Sequence, residues 1–183
     1  HYLPEKVQSF IDGWNTKEMK INTFFEPELL GTAGTLLRHR EWFSGTTGML
    51  IHADNATNVD LTQLIAAHYK RPSQCLITML TFNTLSPSTC GVVEKDSRGI
   101  VIAFHEKVKE PPTTCANGAV YVFDDHFLSW LDKLDLKVND FSKDVLPKLM
   151  GRIHTWHTNA PFLDIGTPEA LAQAESIFAD SFN

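Results

Sequence analysis

The sequence has no long apolar run, no cluster of basic residues and no secretion signal. Its 183 residues are 43% apolar and 21% charged, yet no stretch approaches the roughly 18 apolar residues that a membrane span needs. The net charge is −6, and no Lys or Arg run suggests a nucleic-acid arm or a membrane patch. We therefore expect a cytoplasmic globular protein with neither a nucleic acid nor a membrane as partner.

Paired-cysteine and dinucleotide-binding motifs are also absent. The three cysteines, Cys75, Cys90 and Cys115, are odd in number and far apart. This spacing argues against a disulfide framework and against a structural zinc site, and it favours reduced thiols. No GxGxxG motif follows a predicted strand, which argues against a simple dehydrogenase.

The hydrophobic pattern alternates between helices and buried strands. Helices are predicted over 1–13, 61–69, 125–134, 142–150 (interrupted by Pro147) and 167–182, and a glycine-containing loop at 26–37 runs into a further helix. Strands are predicted over 20–25, 48–53, 74–82, 116–123 and 153–157, and a β-hairpin over 90–104. This order predicts an α/β fold with a mostly parallel sheet, helices on both faces and one inserted hairpin.

Two aspartates stand where such a sheet would bind ligands. Asp54 directly follows a predicted buried strand, and Asp164 lies in an apolar segment that leads into a helix cap. Carboxylates at strand ends either hold a hard cation such as Mg²⁺ or cap the following turn. For Asp164 a buried ion pair is a further alternative. The local sequence does not decide between these roles.

Three other features carry the same ambiguity. Glu106 and Lys107 end a predicted strand and suit a sugar hydroxyl and a phosphate, although such pairs are also common on surfaces. The segment 31–34 (GTAG) would let backbone approach a ligand at a helix N-terminus. His154 and His157 would point to opposite faces of a strand, and we interpret them as structural.

Taken together, the motifs resemble the sugar nucleotidyltransferase family, with the closest likeness to mannose-1-phosphate and heptose-1-phosphate guanylyltransferases. The matching segments occur in the family's order and cover nearly the whole chain: 1–3 (HYL), 26–36 (EPELLGTAGTL), 52–55 (HADN), 91–94 (GVVE), 104–107 (FHEK), 117–123 (NGAVYVF), 144–147 (DVLP) and 163–168 (LDIGTP). The resemblance implies a Rossmann-like mixed sheet of the nucleotide-diphospho-sugar transferase fold.

The resemblance also implies an activity and a site. A nucleoside triphosphate, with GTP favoured, would react with a mannose-like or heptose 1-phosphate to give an NDP-sugar and pyrophosphate. Asp54 and Asp164 match the family's Mg²⁺ ligands, and with Lys107 they form the expected catalytic set. The expected substrate-binding residues are Glu26, Gly31, Thr32, Gly34, Asn55, Gly91, Glu106, Lys107 and Asn117.

The sequence departs from the family pattern mainly at its start. We expect a single nucleotidyltransferase domain over 1–183 that lacks about 60 N-terminal family residues, including the glycine-rich triphosphate loop and its strands. Three hypotheses follow. The sequence is a truncated form of an active enzyme, or it is a sugar-phosphate-binding remnant without catalysis. Alternatively, another chain completes the sheet in a homodimer or a split arrangement. The usual Glu-Lys-Pro also reads Glu106-Lys107-Val108.

Overall fold

The computed structural model describes residues 1–14, 19–134 and 138–179. Within these ranges helices and strands alternate along the chain. The helices are α1 Pro4–Gly13, α2 Gly31–Arg38, α3 Leu61–Tyr69, α4 Asp125–Asp132 and α5 Pro168–Phe178. The strands are β1 Gly48–Ile51, β2 Asn55–Thr57, β3 Ile77–Asn83, β4 Gly91–Lys95, β5 Val101–Glu106, β6 Cys115–Phe123, β7 Ile153–Thr158 and β8 Phe162–Asp164. The described helices include none long and apolar enough to cross a membrane.

Six strands form the central sheet, in the order β5-β4-β6-β3-β7, with β1 also paired to β6. The predicted α/β class and the mixed character of the sheet are confirmed. The expectation that most strands pair in parallel is wrong for the described strands, because only β3 and β7 do so. The inserted hairpin explains the difference: it returns the chain so that β6 runs against β1, β3 and β4.

Two apolar layers lie on opposite faces of the sheet, as expected for helices on both sides. Alternate β6 residues divide between them, since Tyr121 and Phe123 join one cluster and Val120 and Val122 the other. The larger cluster receives α2 and α4, through side chains that include Leu36 and Phe127. The smaller cluster receives Leu64 of α3.

The predicted strand at 20–25 is wrong. The segment 20–25 forms no strand and pairs with none of the described strands. Its aromatic side chains pack against rings instead, with the Phe24 centroid 4.1 Å from His39 and 5.1 Å from Trp42. An alternating apolar pattern therefore reflects side-chain packing here rather than a ladder of backbone hydrogen bonds.

A further difference lies in the helix predicted after residue 141. The helix predicted from Ser142 is a π-helical turn over Phe141–Val145 followed by a 3₁₀ turn over Leu146–Leu149, because Pro147 cannot continue an α-helix. The predicted cap of α5 is confirmed, since the Thr167 side chain accepts a hydrogen bond from the Ala170 amide. The predicted end of that helix, 180–182, lies outside the described residues. The three cysteines are free thiols, as predicted.

Candidate active site

The two predicted metal-binding aspartates lie at one end of the small β2–β8 ladder, with Asp54 just before β2 and Asp164 at the end of β8. Asn55 of β2 is paired with Asp164 of β8, and the Ile165 amide donates to the Asp54 carbonyl over 2.8 Å. A Cβ atom placed on Gly166 would lie 2.9 Å from Asp164 Oδ1 and 3.8 Å from Asp54 Oδ2. The two carboxylates therefore border the same small space above a glycine.

This pair of carboxylates fits a divalent cation that is only partly bound by protein. Both side chains are exposed, and Asp164 Oδ1 also accepts a hydrogen bond from the Gly166 amide over 2.8 Å. Across the part of the chain that the structure describes, no group of three or more His, Cys, Asp or Glu side chains converges. Mg²⁺ is commonly held by one or two carboxylates, with water and substrate phosphate completing its shell.

A cleft of about 500 Å³ runs from Asp54 to the start of α2. One wall carries Glu26, Gly31 and Thr32, and the other is the edge of β1 and the residues after it. Three predicted substrate-binding residues thus share one cleft with a predicted metal ligand. Gly34 does not line the cleft; it is half-buried, with its Cβ position 3.0 Å from the Leu30 side chain.

Hydrogen bonds hold the α2 wall of this cleft in place. Glu26 accepts from the Thr35 hydroxyl over 2.7 Å and from the Leu30 amide over 3.4 Å. The Ala33 amide donates to the Asn139 carbonyl over 2.9 Å. The Thr32 hydroxyl accepts from the Phe141 amide over 2.9 Å. These polar groups fix the helix start, so Thr32 in particular has a structural partner as well as a place at the cleft.

The hairpin β4–β5 supplies the predicted sugar-phosphate residues. Gly91 is paired with Glu106, and a Cβ atom on Gly91 would lie 2.8 Å from Glu106 Oε2 and 2.8 Å from the Phe104 ring. Only glycine leaves room for this carboxylate. Lys107 follows with a left-handed φ of 51°, its amide donates to the Cys90 carbonyl, and its side chain is exposed.

A bulge in β6 connects Asn117 with the aspartate ladder. The register with β3 shifts between Met79 and Thr81, so β6 carries extra residues at 118–120. In this bulge the Gly118 carbonyl accepts a hydrogen bond from Asn55 Nδ2 over 3.1 Å. The bulge therefore joins the residue after Asp54 to the residue after Asn117.

Sequence reasoning missed Tyr121, Gly118 and Gly166 as parts of this region. Tyr121 lay within a matching segment, but its position on an apolar strand marked it only as a core residue. A larger cleft, of about 700 Å³, lies between α1 and residues 23–25, and none of the predicted site residues lines it. We place the candidate site at the smaller cleft because Asp54 lines it and the Asp164 carboxylate borders the same space above Gly166 as Asp54.

Comparisons with known proteins show which sequences this chain is similar to. A mannose-1-phosphate guanylyltransferase of Mycobacterium tuberculosis is 25% identical over 180 residues, covering 96% of this chain and 49% of that protein. A glucose-1-phosphate adenylyltransferase of an Enterobacter species is 23% identical over 177 residues, covering 81% of this chain and 40% of that protein. The chain thus spans about half or less of the length of these relatives.

Solved structures show the same fold. HddC from Yersinia pseudotuberculosis, complexed with GMP-PN, matches with a TM-score of 0.77 and 21% identity over 100% of this chain and 75% of that chain. A putative glucose-1-phosphate thymidylyltransferase from Bacillus anthracis matches with a TM-score of 0.72 and 19% identity over 85% of this chain and 63% of that one. The family model described as nucleotidyl transferase matches residues 1–181, and the chain belongs to that family.

Proposed function

We propose that this chain carries the sugar 1-phosphate and Mg²⁺ sites of a sugar-1-phosphate nucleotidyltransferase. The observation that carries the proposal is that the Asp54 and Asp164 carboxylates border the same space above Gly166 at the end of the β2–β8 ladder, beside a cleft lined by Glu26, Gly31 and Thr32. In the reaction, a phosphate oxygen of the sugar 1-phosphate forms a bond to the α-phosphorus of the triphosphate. The bond from that phosphorus to the bridging oxygen breaks, and pyrophosphate leaves.

The chain's own residues supply binding and positioning. Asp54 and Asp164 would hold Mg²⁺, whose charge neutralises the phosphates in such reactions. Lys107 is exposed at the end of the hairpin, where an ammonium suits the sugar phosphate. Glu106 and Asn117, both half-buried, suit sugar hydroxyls. Orientation and charge neutralisation account for most of the catalysis in phosphoryl-type transfer.

For the nucleotide we favour GTP, with a mannose-like sugar or a heptose as the acceptor. The support is the motif resemblance, a relative named as a mannose-1-phosphate guanylyltransferase and a fold neighbour complexed with GMP-PN. Other relatives are named as adenylyltransferase and thymidylyltransferase. The assay must therefore compare all the common nucleoside triphosphates.

A second candidate is sugar-phosphate binding without catalysis. The described residues that line the cleft include Glu26 and Asp54 but no Lys or Arg. A triphosphate placed there would rely on Mg²⁺ and on cations from elsewhere. We keep this candidate because the same experiment separates it from the first.

The experiment combines calorimetry and turnover on one preparation. Sugar 1-phosphates are titrated into the protein with Mg²⁺, and pyrophosphate release is then measured with each sugar and each triphosphate. Binding together with pyrophosphate release supports the enzyme. Binding without release supports the second candidate, and absence of binding contradicts both.

Asp164→Asn tests the metal ligand directly. We expect pyrophosphate release to fall about 100-fold or more, because a neutral amide cannot replace a carboxylate at a cation that stabilises the transition state. Asp54→Asn should behave alike. The matched control is Asp132→Asn, at an exposed ion pair with Arg40, which should change activity less than about twofold. Equal activity of Asp164→Asn and Asp132→Asn would contradict the assignment.

A further inference from the structure

Both polar atoms of the Asn117 side-chain amide form hydrogen bonds. Its Nδ2 donates to the Tyr121 hydroxyl over 2.7 Å, and its Oδ1 accepts from the Ala119 amide over 3.0 Å. The reversed orientation would set the NH₂ group against the donor of Ala119, so the hydrogen bonds select one orientation. The second N–H of the Asn117 side-chain amide then has a fixed direction, and neither Tyr121 nor Ala119 accepts a hydrogen bond from it.

The backbone that makes this contact is strained. Ala119 has a φ of 53°, in the left-handed region that residues other than glycine seldom occupy. Gly118 before it leaves no room for a side chain, since its Cβ position lies 2.5 Å from Leu80 Cδ2. Strain of this kind persists only where the surroundings enforce it, and it concentrates at functional sites. Here the bulge brings the Ala119 amide to Asn117.

Tyr121 provides a rigid and permanently protonated partner. It is 1% exposed, and its ring centroid lies 4.6 Å from that of Phe141. Burial raises the pKa of Tyr121 well above its ordinary value, and the Glu106 and Asp140 carboxylates act in the same direction. Ser142 also forms a hydrogen bond with its hydroxyl. The phenol is therefore a fixed link between Asn117 and the turn that carries Ser142.

The position of this link relative to the hairpin suggests its role. Ala116, the residue before Asn117, is paired with Val92, and Gly91 is paired with Glu106. Glu106 on β5 and Asn117 on β6 thus lie on either side of β4, and the Glu106 carboxylate reaches over Gly91 of that strand, whose Cβ position would be 2.8 Å from Glu106 Oε2. The same carboxylate contributes to the raised pKa of Tyr121. A donor of fixed direction beside a carboxylate suits a sugar hydroxyl, which can accept from one and donate to the other.

We infer that Tyr121 is a positioning residue that orients the Asn117 amide toward one hydroxyl of the sugar 1-phosphate. The inference rests on the proposed function and adds to it a determinant of sugar selectivity. Tyr121 acts through Asn117 and does not itself contact the substrate. A site built to pair with a hydroxyl discriminates strongly against the analogue that lacks it, because its own polar groups are then left unpaired.

The test compares dissociation constants in the presence of Mg²⁺ for the best-bound sugar 1-phosphate, its monodeoxy analogues and the nucleoside triphosphate. Tyr121→Phe should weaken sugar 1-phosphate binding about 5- to 10-fold, as expected for one lost hydrogen bond. Its discrimination between the parent sugar and one monodeoxy analogue should fall by a similar factor, and triphosphate binding should not change. Tyr69→Phe is the matched control, since that hydroxyl bonds Thr47 on an exposed surface.

A double-mutant cycle separates positioning from general destabilisation. In an Asn117→Ala background, Tyr121→Phe should have no further effect on sugar 1-phosphate binding, because the orienting contact is already gone. If Tyr121→Phe does not fold, Ser142→Ala removes the other partner of the phenol and should give the same selectivity change more weakly.

The outcomes distinguish this inference from the proposed function. If the wild-type protein binds no sugar 1-phosphate, the proposed function fails and the inference fails with it. If the wild type binds and Tyr121→Phe leaves affinity and deoxy-sugar discrimination unchanged, the inference alone is overturned. Additive losses in the double mutant would also overturn it.

Discussion

Gly31 and Gly45 share a backbone conformation but differ in their surroundings. Their φ angles are 72° and 73°. A Cβ on Gly31 would lie 2.3 Å from the Asn139 carbonyl oxygen, whereas one on Gly45 would meet nothing within 4 Å. Alanine substitutions at these two glycines therefore separate two contributions to stability. One is the strain of an alanine in the left-handed conformation, and the other is a collision with backbone at the cleft wall.

We expect Gly45→Ala to lower the free energy of unfolding by about 1 kcal/mol, the cost of the left-handed conformation. Gly31→Ala should cost about 1–3 kcal/mol more, because the helix start must move away from Asn139. Denaturant unfolding of both variants measures the difference. Equal destabilisation would mean that the approach of α2 to Asn139 is not tight.

At the level of single residues, the sequence led to most of the candidate site. Asp54, Asp164, Glu106 and Asn117 were all expected from ordered motifs, whereas Tyr121 was not. A tyrosine on an apolar strand looks like any core residue. Its hydrogen bond to Asn117 depends on the β6 bulge, and the local pattern gives no sign of that bulge.

One charged network joins the end of α3 to the junction of β6 and α4. His68, fully buried, shares a hydrogen bond between its Nδ1 and the Thr78 hydroxyl, and its Nε2 lies 3.8 Å from Asp124. Arg71 pairs with the same carboxylate of Asp124. The pKa of His68 is lowered from 6.5 to about 4, mainly by burial; Arg71 and His154 act in the same direction, and Asp124 opposes them.

This network predicts how stability depends on pH. The folded state keeps His68 neutral, whereas the unfolded chain takes up a proton below pH 6.5. Stability from this residue should therefore be constant above pH 6.5 and fall by about 2–3 kcal/mol between pH 6.5 and pH 4. Unfolding curves of the wild type and His68→Gln measure it. The variant should show a shallower fall across this range; parallel profiles would contradict the assignment.

At the level of elements, local pattern predicted the helices and long strands well. The range of α3 agrees residue for residue with the expectation, and the central strands differ by a few residues at their ends. The errors have tertiary causes. The segment at 20–25 alternates like a strand, but its Phe24 ring packs on His39 and Trp42, which follow α2. The strands β2 and β8 were too short to stand out.

Over the whole molecule, one strand edge and one helix lack a covering layer among the described residues. There β1 pairs only with β6, and Ile51 is 42% exposed. Helix α1 has no buried residue, and Phe10 and Trp14 are more than half exposed. Open edges and large apolar patches promote pairing between chains.

We therefore expect this chain, prepared alone, to self-associate as its concentration rises. Ile51→Lys should reduce the association, because a charged side chain at an edge strand opposes edge-to-edge pairing. Light scattering over a concentration series measures it. The control is Lys70→Arg, at an exposed position at the end of α3. This substitution leaves the charge unchanged and adds none at the β1 edge. A wild type that stays monomeric throughout would contradict the expectation.

The sequence by itself determined the family, the order of helices and strands, and most of the polar residues of the candidate site. These depend on local periodicity, on turn and cap chemistry, and on motifs that are contiguous in the chain. Only the tertiary structure decided the pairing of β2 with β8, the antiparallel pairings of β6 and the link from Tyr121 to Asn117. Each joins backbone or side chains through the packed sheet, and the energy of such contacts depends on neighbours that local pattern does not specify.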